Sequence, residues 1–231
     1  MRKPVLEDSH ARNRGPRRGA HVFFSYIALV TVAGWCLIGW SLSQLAPSDF
    51  SAMGPGFALM ATFALLAELR PLLVAGSPDS NGVTITTCFV FAMLFHWGLP
   101  IAILLQAVAT MVGDRAQRRV WWRMTFNAAQ YAVSWAAAGA VLSLAGASGS
   151  PDDAAHISTV ADVWVIVAAA VAYFLVNDIV VGQALDLLSN STLWREVRED
   201  FGFQLLSTGS LPALSPFVVL ALDDQSWLVP L

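Results

Sequence analysis

The chain has 231 residues, of which 56% are hydrophobic and only 13% are charged. A soluble domain carries roughly 25% charged residues, so this composition, with a mean hydropathy of +0.60, excludes an ordinary water-soluble globule. A net charge of −3 excludes nucleic-acid binding through bulk charge. What remains is an all-α fold: a polytopic membrane helix bundle.

Residues 1–21 read as a disordered, basic cytoplasmic arm. Residues 1–20 hold six of the thirteen Lys and Arg side chains against Glu7 and Asp8, with Gly15, Pro16 and Gly19 among them. Such a segment stays unfolded and brings its cations to anionic lipid heads. The apolar run 22–45 exceeds the roughly 7–15 residues of a signal-peptide core and reads as a retained first span. Further runs follow at 53–75, 83–97, 100–113, 124–146, 160–187 and 201–222, measured against the roughly 20 apolar residues a crossing needs. The third and fourth are short and joined by Trp97-Gly98-Leu99-Pro100, which predicts a tight helical hairpin with Pro stopping continuation. The expectation is seven spans within 22–222. Residues 223–231 form an outer turn and then an apolar stretch, Ser226 to Leu231, expected to start an eighth span that returns to the cytoplasm.

Charge fixes the expected orientation. With the N-terminus cytoplasmic, the inner segments are 1–21, 76–82, 114–123 and 188–200, and the outer ones 46–52, 98–99, 147–159 and 223–226. The inner segments then collect the arm's cations, Arg115, Arg118, Arg119, Arg123, Arg195 and Arg198, while Arg70 falls near the inner end of the second span. The outer segments hold Asp49, Asp152, Asp153, Asp223, Asp224 and His156, with no Lys or Arg. This is the sorting that the positive-inside rule demands, and Trp97, Trp121, Trp122, Trp194 and Trp227 fall at the interfaces as an aromatic belt.

Polar side chains inside apolar spans are costly and mark a function or a buried pair. Glu68 and Arg70 lie in the second span, Asn127 and Gln130 in the fifth, Asn177 and Asp178 in the sixth, and Gln204 in the seventh. Asn127, Gln130 and Ser134 follow i, i+3, i+7 and share one helix face. All fall in the cytoplasmic half, which predicts a converging polar cluster, either interhelical glue or a ligand or proton site. Pro212 and Pro216 predict a kink in the seventh span, with nearby Ser and Thr satisfying the freed carbonyls. Cys36 and Cys88 read as packing residues, and His96 with His156 lack a third ligand, so no metal or cofactor is expected. HExxH, Walker A, GxSxG and GxGxxG motifs are absent. The loops hold about a dozen residues against the roughly 50 of a domain, so catalysis within these residues is not expected.

Several segments carry a family likeness. Ala67-Glu68-Leu69-Arg70-Pro71 closes the second span, the stretch from Thr84 to Gly98 fills the third, and Asp114-Arg115 follows the fourth. Phe126-Asn127-Ala128-Ala129-Gln130-Tyr131 opens the fifth, and Phe174-Leu175-Val176-Asn177 lies in the sixth. Together they resemble the multi-pass membrane input region of actinobacterial sensor proteins. In those proteins the cytoplasmic output is a GGDEF cyclase, with or without an EAL phosphodiesterase, or an HD-type phosphohydrolase. The resemblance implies a cell-membrane sensory module controlling a cyclic-di-GMP enzyme beyond Leu231. It also implies a homodimer, because the cyclases act in pairs, and an unspecified small-molecule or membrane stimulus. The chain has no GGDEF, EAL or HD motif, so no catalytic residue carries over. A stimulus would act through different affinities for two states of the bundle. Two other readings stand beside it. One is a transporter or substrate-capturing subunit, which the lack of an inverted repeat of broken helices disfavours; the other is a structural or assembly membrane protein.

Overall fold

The computed structural model describes residues 16–69, 86–146 and 160–189, and their regular structure is entirely helical. The helices are α1 (Pro16–Ser43), α2 (Pro47–Ala52), α3 (Pro55–Leu69), α4 (Thr86–Trp97), α5 (Leu99–Ala116), α6 (Trp121–Leu144) and α7 (Val160–Ser189). They cover the described parts of six of the expected apolar runs; 201–222 lies outside the described residues.

The boundaries have local causes. Proline's fixed φ suits a first helical position, and its missing N–H is one that a helix start leaves unpaired. α1 accordingly begins at Pro16, inside the stretch expected as the arm. Pro47 starts α2 within what reads as an outer loop, and the Asp49 carboxylate accepts the Ala46 N–H at 2.7 Å. Between α4 and α5 stands Gly98 alone, at φ +85°. A reversal within one residue needs this left-handed conformation, which glycine adopts without cost. The Gly98 N–H donates to Leu94 O at 3.1 Å, and the Ala102 N–H donates to Gly98 O at 3.3 Å, which closes the turn.

Contacts between helices show that the chain runs up and down. Phe57 of α3 meets Trp97 of α4 edge-on at 5.6 Å, and Leu99 of α5 lies against Gly139 of α6. At the opposite end Asn127 of α6 bonds Asp114 of α5. There the start of α1, the start of α6 and the end of α7 share an apolar cluster of Phe23, Ile27, Phe126 and Ala184. All the described Arg residues (17, 18, 115, 118, 119 and 123) therefore sit at one end of the bundle.

His21–Ser43, Leu99–Ala116 and Trp164–Leu188 are long and apolar enough to cross a membrane. α3 and α4, with 15 and 12 described residues, reach only about 18–22 Å at 1.5 Å per residue, short of the roughly 30 Å of a bilayer core. α6 has 24 residues but interrupts its apolar run with Arg123, Asn127, Gln130 and Ser134.

α4 is the centre of the bundle. Of its residues from Thr86 to Phe95 only Phe89 escapes full burial. Phe91 lies 4.6 Å from Trp135 of α6 and 5.5 Å from Tyr173 of α7, and those two rings lie 4.5 Å apart. Three fully buried rings at such distances contribute beyond their buried area, about 0.5–1.5 kcal/mol per pair. On the other flank α1 comes so close to α6 that a Cβ on Gly34 would overlap the Ala129 backbone, whereas one on Gly39 would meet nothing within 4 Å. Gly34→Ala must push the two helices apart and should cost about 1–3 kcal/mol. Gly39→Ala should gain about 0.5–1 kcal/mol from helix propensity. Thermal unfolding of the two variants in detergent, compared with the parent, checks both signs.

Candidate functional site

Where α5 turns into α6, the chain makes a closed polar clasp. Asp114 is the third residue from the end of α5. The Arg119 N–H donates to its carbonyl at 2.9 Å, and the Arg118 N–H donates to Arg115 O at 3.1 Å. This is a Schellman ending, in which the residue after the helix cap adopts a left-handed conformation; here that residue is Arg118, at φ +56°. The turn carries Arg119 back over the helix end, so its Nε reaches Asp114 Oδ1 at 3.3 Å. Asn127 Nδ2 donates to Asp114 Oδ2 at 2.8 Å from the first turns of α6. Arg119 is further held by Gln117 Oε1, at 3.2 Å from Nε and 3.0 Å from Nη2. The Asp114 side chain is 6% exposed and that of Arg119 32%, so the clasp is an inward carboxylate tied to a cation that reaches water.

Further groups gather behind it. A Cβ on Gly113 would lie 2.6 Å from Glu68 Cγ, so the missing side chain lets the end of α3 lie against α5 beside Asp114. Tyr131, one turn beyond Asn127, lies within electrostatic range of Glu68, Asp114 and Arg119. Tyr173 of α7 lies beside the Thr87 side chain of α4 and within range of Tyr131, Glu68 and Asp178. Asp178 in turn engages Asn177. Five helices thus bring polar groups to one region at the basic end of the bundle.

From this region a buried polar row runs inward. Gln106, Thr110 and Asp114 recur every fourth residue on α5, and Gln106 Nε2 donates to Thr110 Oγ1 at 3.1 Å. On antiparallel α6, Gln130 and Ser134 continue the face that begins with Asn127, and Ser134 Oγ donates to Gln130 O at 2.9 Å. Gln106 and Gln130 are 2% and 3% exposed, and each keeps an Oε1 that accepts no hydrogen bond among the described residues. A buried acceptor without a donor costs about 1–3 kcal/mol. The row therefore presents two unsatisfied acceptors to any species bearing N–H or O–H donors.

Of the residues singled out in the sequence, Glu68, Asn127 and Asp178 stand around Tyr131 and Tyr173. Asn177 is attached through Asp178, and Gln130 lies one turn along α6. Arg70, Gln204, Pro212 and Pro216 lie outside the described residues. The polar cluster expected from the sequence did not include Asp114, Arg119, Tyr131, Tyr173, Gln106 or Thr110, although Asp114 and Tyr131 fall in the segments that carry the likeness and Arg119 among the inner cations. The spacing of Gln106, Thr110 and Asp114 was the signal for three of these; α5 continues to Ala116, whereas the apolar run ends at 113. No group of three or more His, Cys, Asp or Glu among the described residues is placed to hold a metal ion.

Apolar helices of membrane-crossing length, packed with a polar interior at one end, define a helical membrane module. The chain matches the MASE9 family over residues 19–221 and belongs to it, a family of the membrane-associated sensory domains. No curated protein and no solved structure matches it.

Asn127→Leu leaves Asp114 Oδ2 buried without its donor and should lower stability by about 1–2 kcal/mol. Arg119→Gln, at a residue that water screens, should cost under about 1 kcal/mol. Asp114→Leu combined with Asn127→Leu should cost less than the two single changes added, the mark of a coupled pair. Thermal unfolding of the four variants in detergent measures all three expectations.

Proposed function

We propose that this sensory module is a seven-span bundle in the cell membrane, with its N-terminus and basic end cytoplasmic, that controls a cyclic-di-GMP enzyme domain joined after Leu231. Domains of this kind typically stand upstream of GGDEF/EAL proteins, which supports the output. The gathering of every described Arg at one end supports the orientation, because cytoplasmic loops carry the Lys and Arg excess.

One observation carries the sensing role. The segments that bear the family likeness, around Glu68, Asp114 and Asn127 to Tyr131, are distant in sequence and adjacent in space. A ligand with hydrogen-bond donors that enters the row between α5 and α6 would engage Gln106 Oε1 and Gln130 Oε1. If it prefers one arrangement of α5, α6 and α7 to another, it shifts the population of bundle states by that differential affinity, and paired output domains read the shift. The glue reading has its own support in the Asn127–Asp114 bond, since interhelical bonds of this type are worth about 0.6 kcal/mol on average.

Sequence past Leu231 gives the first test: an in-frame cyclase or phosphodiesterase motif is expected, and a stop codon there removes the output. With the output domain in place, Gln130→Leu should alter cellular cyclic-di-GMP while thermal unfolding moves by less than about 1 kcal/mol. Glue predicts lost stability with unchanged signalling per folded molecule. For topology, single cysteines in a Cys36→Ala, Cys88→Ala background suffice. A cysteine at Gln117 should resist impermeant reagents on intact cells, and one at Ser148 should react.

A further inference from the structure

The turn that holds the clasp leaves most of its charge facing outward. Arg115, Arg118 and Arg123 are exposed. Among the described residues the guanidinium groups of Arg115 and Arg118 make no hydrogen bond or ion pair, and Arg123 meets only the Trp122 ring, at 5.3 Å. α6 begins just there with no side-chain cap at Val120 and no acid in its first turn. Its free N–H groups and the positive end of its dipole therefore add to the same field. Arg118 holds a conformation that glycine would take without strain. The chain thus bears a backbone cost to keep a cation at that position, and such outliers point toward function.

The apolar neighbours decide what kind of anion fits. Val120 is 54% exposed and Trp121 74%, between Arg119 and Arg123. A dissolved anion would leave both in water. A phospholipid offers a phosphate to the guanidinium groups and a glycerol and acyl region to the indole, the layer where membrane tryptophans lie. We infer that the Arg115–Arg123 turn is a binding surface for the phosphate groups of anionic phospholipids, with Trp121 set beside them in the headgroup layer. The inference rests on this end of the bundle meeting a bilayer surface, and it needs no output domain. It also gives the lipid a route inward: Arg119 of the same turn holds Asp114, so headgroup charge at Arg118 and Arg123 bears on the clasp.

The test uses the full chain in phosphatidylcholine nanodiscs with a minor fraction of spin-labelled phosphatidylglycerol or, in parallel, spin-labelled phosphatidylcholine. Basic residues 2, 3, 12, 14, 17 and 18 are changed to Gln so that the arm does not contribute to the preference, and the turn's share is read from its own variants. The ratio of the two association constants should favour phosphatidylglycerol. It should fall about fivefold for each of Arg115→Gln, Arg118→Gln and Arg123→Gln, from about 1 kcal/mol per basic residue near an anionic surface. Arg118→Gly should show the same fall and yet raise Tm by about 2–4 °C as the left-handed strain is relieved, which separates lost binding from lost folding. Retention of the preference in the three Gln variants overturns the inference. Equal displacement of the labelled lipid by millimolar inorganic phosphate also overturns it, because the site would then take a soluble anion.

Discussion

A carboxylate drawn into an apolar bundle has to find donors, and the position of Asp114 organises much of this fold. Its two oxygens are met from two directions, by Asn127 on the next helix and by Arg119 on the turn between. The backbone of that turn closes on the Asp114 carbonyl as well. With both ends of the α5–α6 hairpin fixed, here by the clasp and at the far end by Leu99 against Gly139, the two helices form an antiparallel scaffold. α1 packs into it through Gly34, α3 through Gly113, and α7 along the length of α6. Membrane interiors supply little hydrophobic drive between helices, so close approach at small residues and interhelical polar bonds carry the association. Both devices meet in this scaffold.

Long apolar stretches were legible because hydrocarbon selects composition over 20 or so residues; α5, α6 and α7 lie within a few residues of their expected runs, and α1 does so at its C-terminal end. The ends were less legible, since caps and turns rest on single atoms. Nothing in hydropathy indicates that Asp49 would organise a short helix after Pro47, or that Pro16 would start α1 inside a basic arm. The turn after α5 is the clearest case. A charged stretch from 114 to 123 reads as a loop, yet Asp114 and Arg115 are helical and only Gln117 to Val120 separate the helices, because the carboxylate is satisfied inside the protein and need not reach water.

The polar centre was partly legible for the same reason. Glu68, Asn127 and Gln130 stand out because they interrupt apolar runs, and depth along the helix places them near one level. Tyr131 and Tyr173 do not stand out, because a tyrosine in a membrane helix looks like any aromatic until its hydroxyl is seen among carboxyl groups. Partners are a property of packing: the Gly113 contact that lets Glu68 approach Asp114 is written as one small residue among many.

Gly98 has a mechanical meaning. A joint of one residue, stitched on both sides by backbone hydrogen bonds, gives α4 and α5 no slack to slide past one another, so they travel together as a stiff unit. α5 is in turn held to α6 near both tips, by Leu99 against Gly139 and by Asn127 on Asp114. The same unit ends on the seam with α7, where Phe91 and Trp135 pack against Tyr173.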